Sequence, residues 1–288
     1  KNFIQDIMRF LDNVLEDFIS NAPESMKNAV YSAKMERSVG LGAMGFHSFL
    51  QQKGIPFESA LAKSWNVKFF KHLKQEADKA SVILAIEKGE CPDAKEFGVK
   101  ARFSHKLAIA PTASISIICG GTSACIEPIP ANIYTHKTLS GSFTVKNKYL
   151  EKIFENKGIN NEKIWQSVLE NDGSVSHIEE LSDDERSIFK TAFEIDQRWI
   201  VEMAADRTPY ICQSQSVNLY LNADIDKWDL MMLHWKAWEM GIKSLYYCRS
   251  KSIQRASYAG VEADNTKNWP EKKLEKTKTD YEECLSCQ

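Results

Sequence analysis

Leu107-Ala108-Ile109-Ala110-Pro111-Thr112-Ala113-Ser114-Ile115-Ser116 carries the reading on which the fold turns. Four small or branched apolar residues run into a proline, the pattern of a short buried strand whose end opens into a loop. Loops at strand ends often carry chemistry. Beyond Pro111 the small and hydroxyl side chains suit two roles. They offer backbone N–H groups and hydroxyls to an anion at a helix N-terminus, or they form an ordinary Ser/Thr helix cap.

Upstream, Trp65, Phe69, Leu73, Ala77, Ala80 and Leu84 recur at helical spacing and predict a helix from about Ser59 to Lys88, with Gly89 as its stop. Pro92 is expected to keep the following chain out of helix. At the start, Phe3, Ile4, Ile7, Met8, Leu11, Val14, Leu15, Phe18 and Ile19 form one apolar stripe that needs a partner surface. Downstream, Phe189, Ala192, Phe193, Asp196, Trp199, Ile200 and Met203 predict a helix over 187–205, with Arg207 placed to pair with the lone acid. The stretch from Pro209 to Tyr220 reads as extended and polar in its middle. Trp228, Met231, Met232, Trp235 and Trp238 then make a helix, and Ile242 to Tyr247 reads as a strand after Gly241. Helices between short buried strands indicate an α/β domain with largely parallel pairing. From about Gly260 the apolar periodicity stops and a charged tail is expected.

With 288 residues, 43% hydrophobic and 26% charged, the chain has ordinary globular composition. Its 37 basic and 39 acidic residues leave a net charge of -2, which disfavours nucleic acid and anionic membranes as partners. No apolar run is long enough to span a bilayer, and the first ten residues lack a signal peptide's apolar centre. Seven scattered cysteines are the usage of a reducing cytoplasm. A chain that opens on Lys1, inside a helical pattern, suggests a fragment, a split gene product or a processed chain.

Several motifs have two readings. Gly40-Leu41-Gly42-Ala43-Met44-Gly45 has dinucleotide-fingerprint spacing, but no buried strand precedes it, so glycines that permit close packing are the preferred reading. Cys119 and Cys125 lack structural-zinc spacing and read as buried small hydrophobes. Tyr246 and Tyr247 either pack or pass a hydrogen atom between phenols. Neighbours on a regular strand point to opposite faces, so stacking would require a backbone distortion. Cys284-Leu285-Ser286-Cys287 can close a disulfide or supply half a zinc site. A random-coil estimate lets that dithiol swing about 30 to 35 Å from Tyr247, which suits an electron shuttle.

Taken in order, these pieces resemble the large subunit of class I ribonucleotide reductase, in the flavour of its eukaryotic and tailed-phage branch. The residues that carry the resemblance begin with Glu36-Arg37-Ser38-Val39-Gly40-Leu41-Gly42 and His105-Lys106-Leu107 through Ser114. They continue with Ile126-Glu127-Pro128, Asn132-Ile133-Tyr134, Leu139-Ser140-Gly141, Ala204-Ala205-Asp206-Arg207, Gln213-Ser214-Gln215-Ser216-Val217-Asn218 and Tyr246-Tyr247. The resemblance covers essentially the whole chain.

It implies an α/β fold, the C-terminal half of a ten-stranded α/β barrel with helices outside, over residues 1–259. A flexible redox tail over 260–288 would follow. The implied activity is reduction of ribonucleoside diphosphates to deoxyribonucleotides by radical chemistry. Pro111, Thr112, Ala113, Ser114 and Ile115 would hold the substrate diphosphate. Tyr246 and Tyr247 would relay the radical, and Cys284 and Cys287 would re-reduce the active-site disulfide.

The family's finger loop, with its Asn, thiyl-forming Cys and Glu, and its two reducing cysteines have no counterpart here. None of Cys91, Cys119, Cys125, Cys212 or Cys248 sits in an equivalent context. The implied partners are an N-terminal part of the large subunit carrying the radical-site cysteine, a small subunit bearing a metal and tyrosyl radical, and a thioredoxin- or glutaredoxin-type reductant. No metal or cofactor is expected on this chain, effectors are expected to bind elsewhere, and the expected location is cytoplasm, a host's if phage-encoded. Two other readings are a non-catalytic module that binds a reductase, and a dinucleotide oxidoreductase built on Gly40, Gly42 and Gly45.

Overall fold

The computed structural model describes residues 2–138 and 141–251. At its centre four extended segments lie side by side in parallel. Leu41 bridges Leu107, Ile109 bridges Gln215, and strand β3 (Leu219–Asn222) pairs with β4 (Cys248–Lys251). The run Leu107–Ala110 is as buried as expected at Leu107 and Ile109, yet forms no full ladder. Leu107 pairs with one neighbour and Ile109 with the other, so neither side extends beyond a bridge. The predicted strand Ile242–Tyr247 likewise starts only at Cys248.

Helices make the connections, as parallel neighbours require. Helix α1 (Phe3–Asn21) leads through a 3-10 turn to α2 (Lys27–Glu36), then α3 (Phe46–Gln52) and α4 (Ala60–Lys88). The Ser59 hydroxyl accepts from the Ala62 N–H and starts α4; Gly89, at φ 90°, stops it. Pro92 does not exclude helix: it occupies the first turn of α5 (Pro92–Glu96), where its missing N–H costs nothing. The stripe of α1 finds its partner within this chain, packing on α4 with Met8 wholly buried, while Phe3, Phe10 and Val14 stay exposed. Asp12, on the same face, is buried among Arg37, Arg102 and Lys88, at 2.8, 2.9 and 2.8 Å.

After α6 (Ala113–Ile118) comes an antiparallel hairpin, β1 (Ile133–Thr138) and β2 (Gly141–Lys146). Helices α7 (Lys148–Asn156), α8 (Glu162–Glu170) and α9 (Asp183–Ile188) follow and share a second apolar cluster around Phe154, Trp165 and Phe189. The helix predicted over 187–205 is broken: α9 ends at Ile188 and α10 (Gln197–Arg207) begins nine residues later. Asp196 is the reason, since its carboxylate caps α10 by accepting from the Arg198 N–H at 2.9 Å. It pairs with the Arg198 side chain, not with Arg207. Arg207 instead lies buried, donating to Gln215 at 2.6 Å and Asn66 at 3.3 Å. Helix α11 (Lys227–Glu239) buries Leu233 and Ala237 and turns Trp228, Met231, Trp235 and Trp238 outward.

Candidate active site

The turn after Ile109 enters α6 with Thr112 in the left-handed region at φ 53°, costly for a β-branched residue. A hydrogen bond holds it there: the Thr112 hydroxyl accepts from the buried Cys125 backbone N–H at 2.8 Å. Ser116 donates to the Ala113 carbonyl at 2.8 Å, tightening the first turn. Ala113, Ser114 and Ile115 are exposed beyond this anchor. First-turn N–H groups point at whatever lies beyond a helix N-terminus.

The two consecutive tyrosines stand together. Their ring centroids are 4.2 Å apart with planes inclined at 50°. The distortion this demands is visible in the ladder. The β3–β4 register pairs Leu219 with Cys248, and Leu219 donates to the Tyr247 carbonyl at 2.9 Å. Continued regularly, the Val217 carbonyl would accept from the Tyr247 N–H, because parallel bonds are evenly spaced. It accepts from Tyr246 N–H instead, at 2.8 Å. The tyrosine strand thus carries one extra residue, a bulge. The surplus N–H, that of Tyr247, donates to the Asn218 side-chain oxygen at 3.1 Å.

Asn218 is itself buried, and its amide nitrogen donates to Glu127 Oε2 at 2.8 Å. Burial raises Glu127 above the usual carboxylate range, against hydrogen bonds from Tyr220 and Asn218. Tyr220 is held far into its protonated form by burial and by Glu127 beside it. Burial, reinforced by Glu127, pushes the Cys125 thiol up to about 12, so it is no thiolate nucleophile at neutral pH. Arg249 lies over the Tyr247 ring at 5.6 Å.

Two of the three sequence-predicted groups are therefore joined. The segment 125–127 ties to Thr112 at one end and, through Glu127 and Asn218, to Tyr247 at the other. The third group, Cys284 and Cys287, lies outside the described residues, as does the junction Leu139-Ser140. The reading of residues missed Glu127, Asn218 and Tyr220 as site members. The signal available was a run of polar side chains, Gln213 to Asn218, inside an otherwise apolar extended stretch.

The glycine motif packs. A Cβ at Gly42 would lie 2.4 Å from the Ala108 carbonyl oxygen, and one at Gly45 would lie 2.5 Å from the Thr122 hydroxyl. Both chain segments approach too closely for a side chain. Cys125 is buried as expected, but Cys119 is exposed. Among the described residues no group of three or more His, Cys, Asp or Glu could hold a metal ion, and no helix is long and apolar enough to cross a membrane.

Comparison with known proteins gives a consistent family. The family model described as ribonucleotide reductase, barrel domain, matches residues 1–98 and 93–248. The ribonucleoside-diphosphate reductase large subunit of Invertebrate iridescent virus 6 is 48% identical over 260 residues, covering 88% of this chain and 27% of that protein. The putative large subunit of Frog virus 3 is 39% identical over 290 residues, covering 100% of this chain and 49% of that protein. Among solved structures, the class Id ribonucleotide reductase alpha subunit of Actinobacillus ureae superposes with a TM-score of 0.82 at 38% identity. That match covers 90% of this chain and 48% of the other. The chain thus spans half or less of the length of these relatives.

Proposed function

The chain belongs to the ribonucleotide reductase barrel-domain family, and from that membership we propose that it supplies part of a class I ribonucleoside-diphosphate reductase large subunit. Residues 1–259 form its share of the barrel and 260–288 the redox tail. In this reading the turn Pro111–Ile115 holds the substrate diphosphate, with the first-turn amides of α6 aimed at the anion. Tyr246 and Tyr247 relay the radical, each phenol giving up its O–H hydrogen and regaining it. Cys284 and Cys287 return two electrons and two protons, by thiol–disulfide exchange, to the active-site disulfide left when the ribose loses its 2′-hydroxyl as water, and a thioredoxin-type dithiol re-reduces the tail pair in turn.

The observation that carries the proposal is the pairing of Tyr246 and Tyr247 at 4.2 Å, tied to the Thr112 turn by one short buried segment. Tyr246 and Tyr247 are 41% and 43% exposed as residues, so a radical donor can reach them from outside. Helix α11 leaves Trp228, Trp235 and Trp238 exposed, an open aromatic face suited to the small subunit that bears the metal and tyrosyl radical. In this reading, as the family resemblance implies, the hydrogen-abstracting sulfur would come from another portion of the large subunit.

The test is reconstitution. The chain, the rest of the large subunit and the small subunit together are expected to reduce a ribonucleoside diphosphate, and the chain alone is not. No turnover in the full mixture would favour a non-catalytic module. Changing Cys284 and Cys287 to Ser is expected to leave a single turnover intact and stop recycling by a thioredoxin-type protein.

A further inference from the structure

The bulge at Tyr246–Tyr247 is what places two consecutive side chains on one face, and a bulge leaves an N–H that the ladder cannot use. Left unpaired in a buried setting, such a group is destabilising. Asn218 removes that cost with its side-chain oxygen, 3.1 Å from the Tyr247 nitrogen. Its amide can face only one way, because its other end donates to Glu127 at 2.8 Å. Glu127 is fixed in turn by Tyr220. The regular alternative is close at hand, since sliding the tyrosine strand by one residue would let Tyr247 bond the Val217 carbonyl. That slip would send the two rings to opposite faces.

We propose that Asn218, oriented by Glu127, is a positioning residue that locks the bulge and so holds the two phenols together as one relay. The inference rests on the relay reading of Tyr246 and Tyr247. It assigns Asn218 no contact with substrate and no part in hydrogen transfer. Its effect is on the distance between two rings, and misplacement of about 1 Å can cost about 100-fold in rate.

The test uses the full chain with 3-fluorotyrosine at position 246 or 247, read by fluorine NMR, and the assembled enzyme for turnover. The Asn218→Leu change is expected to abolish the mutual ring-current shift and lower turnover about 100-fold, with KM unchanged. Asn218→Asp keeps the acceptor for Tyr247 but sets a carboxylate against Glu127, so it is expected to disturb both readouts. Adding Glu127→Gln to it reverses the donor and acceptor across the same contact, and is expected to restore both. A simple loss of packing would not be rescued in this way. Wild-type fluorine spectra in Asn218→Leu, or a folded double variant that restores neither readout, would overturn the clamp. If Tyr247→Phe left turnover unchanged, the relay reading would fall instead, and the fluorine spectra would still decide whether Asn218 sets the ring pair.

Discussion

The hydroxyl of Thr112 accepts the backbone N–H of Cys125 at 2.8 Å, which makes the entrance to α6 a consequence of a segment thirteen residues further on. Thr112 holds a left-handed backbone that of itself costs about 1 to 3 kcal/mol. Replacing it with Val removes the acceptor and strands the Cys125 N–H. We expect Thr112→Val to raise the KM for the diphosphate about tenfold with little change in kcat, since anchoring a phosphate is largely uniform binding. Thr112→Ser keeps the hydroxyl and is expected to stay near wild type. Steady-state kinetics of the assembled enzyme check both; a fall in kcat at constant KM would contradict the anchoring role.

The relay makes a separate demand. A phenyl ring fills the same space as a phenol but has no O–H to give, so Tyr246→Phe and Tyr247→Phe are each expected to abolish turnover while the diphosphate still binds. Equilibrium binding and turnover measured on the same preparation separate the two effects. Retained turnover would remove the tyrosines from the pathway.

How far the sequence announces this arrangement depends on the range of the contacts involved. Helix α4 is legible because its signals are local: Ser59, a repeating apolar face, and Gly89. The hairpin and α7 to α9 are written in local signals too, with Asn147 and Asn161 capping two helices and Ser182 and Glu185 forming a capping box. The reading along the chain passed over them. Asp12 is illegible for a different reason. It sits on the apolar face of α1, and the side chains that make its burial tolerable come from 25, 76 and 90 residues away. The closeness of Tyr246 and Tyr247 is likewise hidden, because it depends on Asn218 taking an N–H across the sheet, which no spacing along one strand encodes.

The glycine motif gives a test of packing against cofactor binding. At Gly42 a methyl group would meet the Ala108 carbonyl oxygen at 2.4 Å, backbone against backbone, with no flexible side chain to yield. Gly42→Ala is therefore expected to destabilise the chain by about 1 to 3 kcal/mol. Urea denaturation measures this. A titration with nicotinamide dinucleotide is expected to show no binding in either form; saturable binding lost on substitution would restore the fingerprint reading.

Asp12 connects α1 to residues beyond α2 and α4. Burial works to raise its pKa, and hydrogen bonds from Arg102, Lys88 and Arg37 outweigh this and lower it. A carboxylate depressed in the folded state stabilises at pH above its unfolded value of about 3.9, and that contribution fades as pH falls through the folded value. Asp12→Asn is expected to cost about 3 to 5 kcal/mol at pH 7, because Arg37 and Arg102 lose their buried counter-charge. The difference from wild type should shrink only below about pH 4. Denaturant titrations at pH 7 and at pH 3 check the sign.

His47 acts in a higher pH range. It is fully buried in α3, its Nδ1 accepts from the Ile129 N–H at 3.0 Å, and its ring meets Phe57 edge-on. Burial pushes its pKa down to about 3, against an opposing hydrogen bond to the Ile188 carbonyl. The folded state keeps the imidazole neutral where the unfolded chain, titrating near 6.5, takes up a proton. Stability is thus fully present above about pH 6.5 and declines on acidification, by up to about 1.4 kcal/mol per pH unit, toward the folded value. Between pH 6.5 and 5 that amounts to about 2 kcal/mol. His47→Gln carries an amide that does not titrate, and is expected to lower stability at pH 7 while flattening this slope. Denaturation midpoints at pH 7, 6 and 5 decide it: parallel losses in wild type and variant would show that another group sets the acid sensitivity of this region.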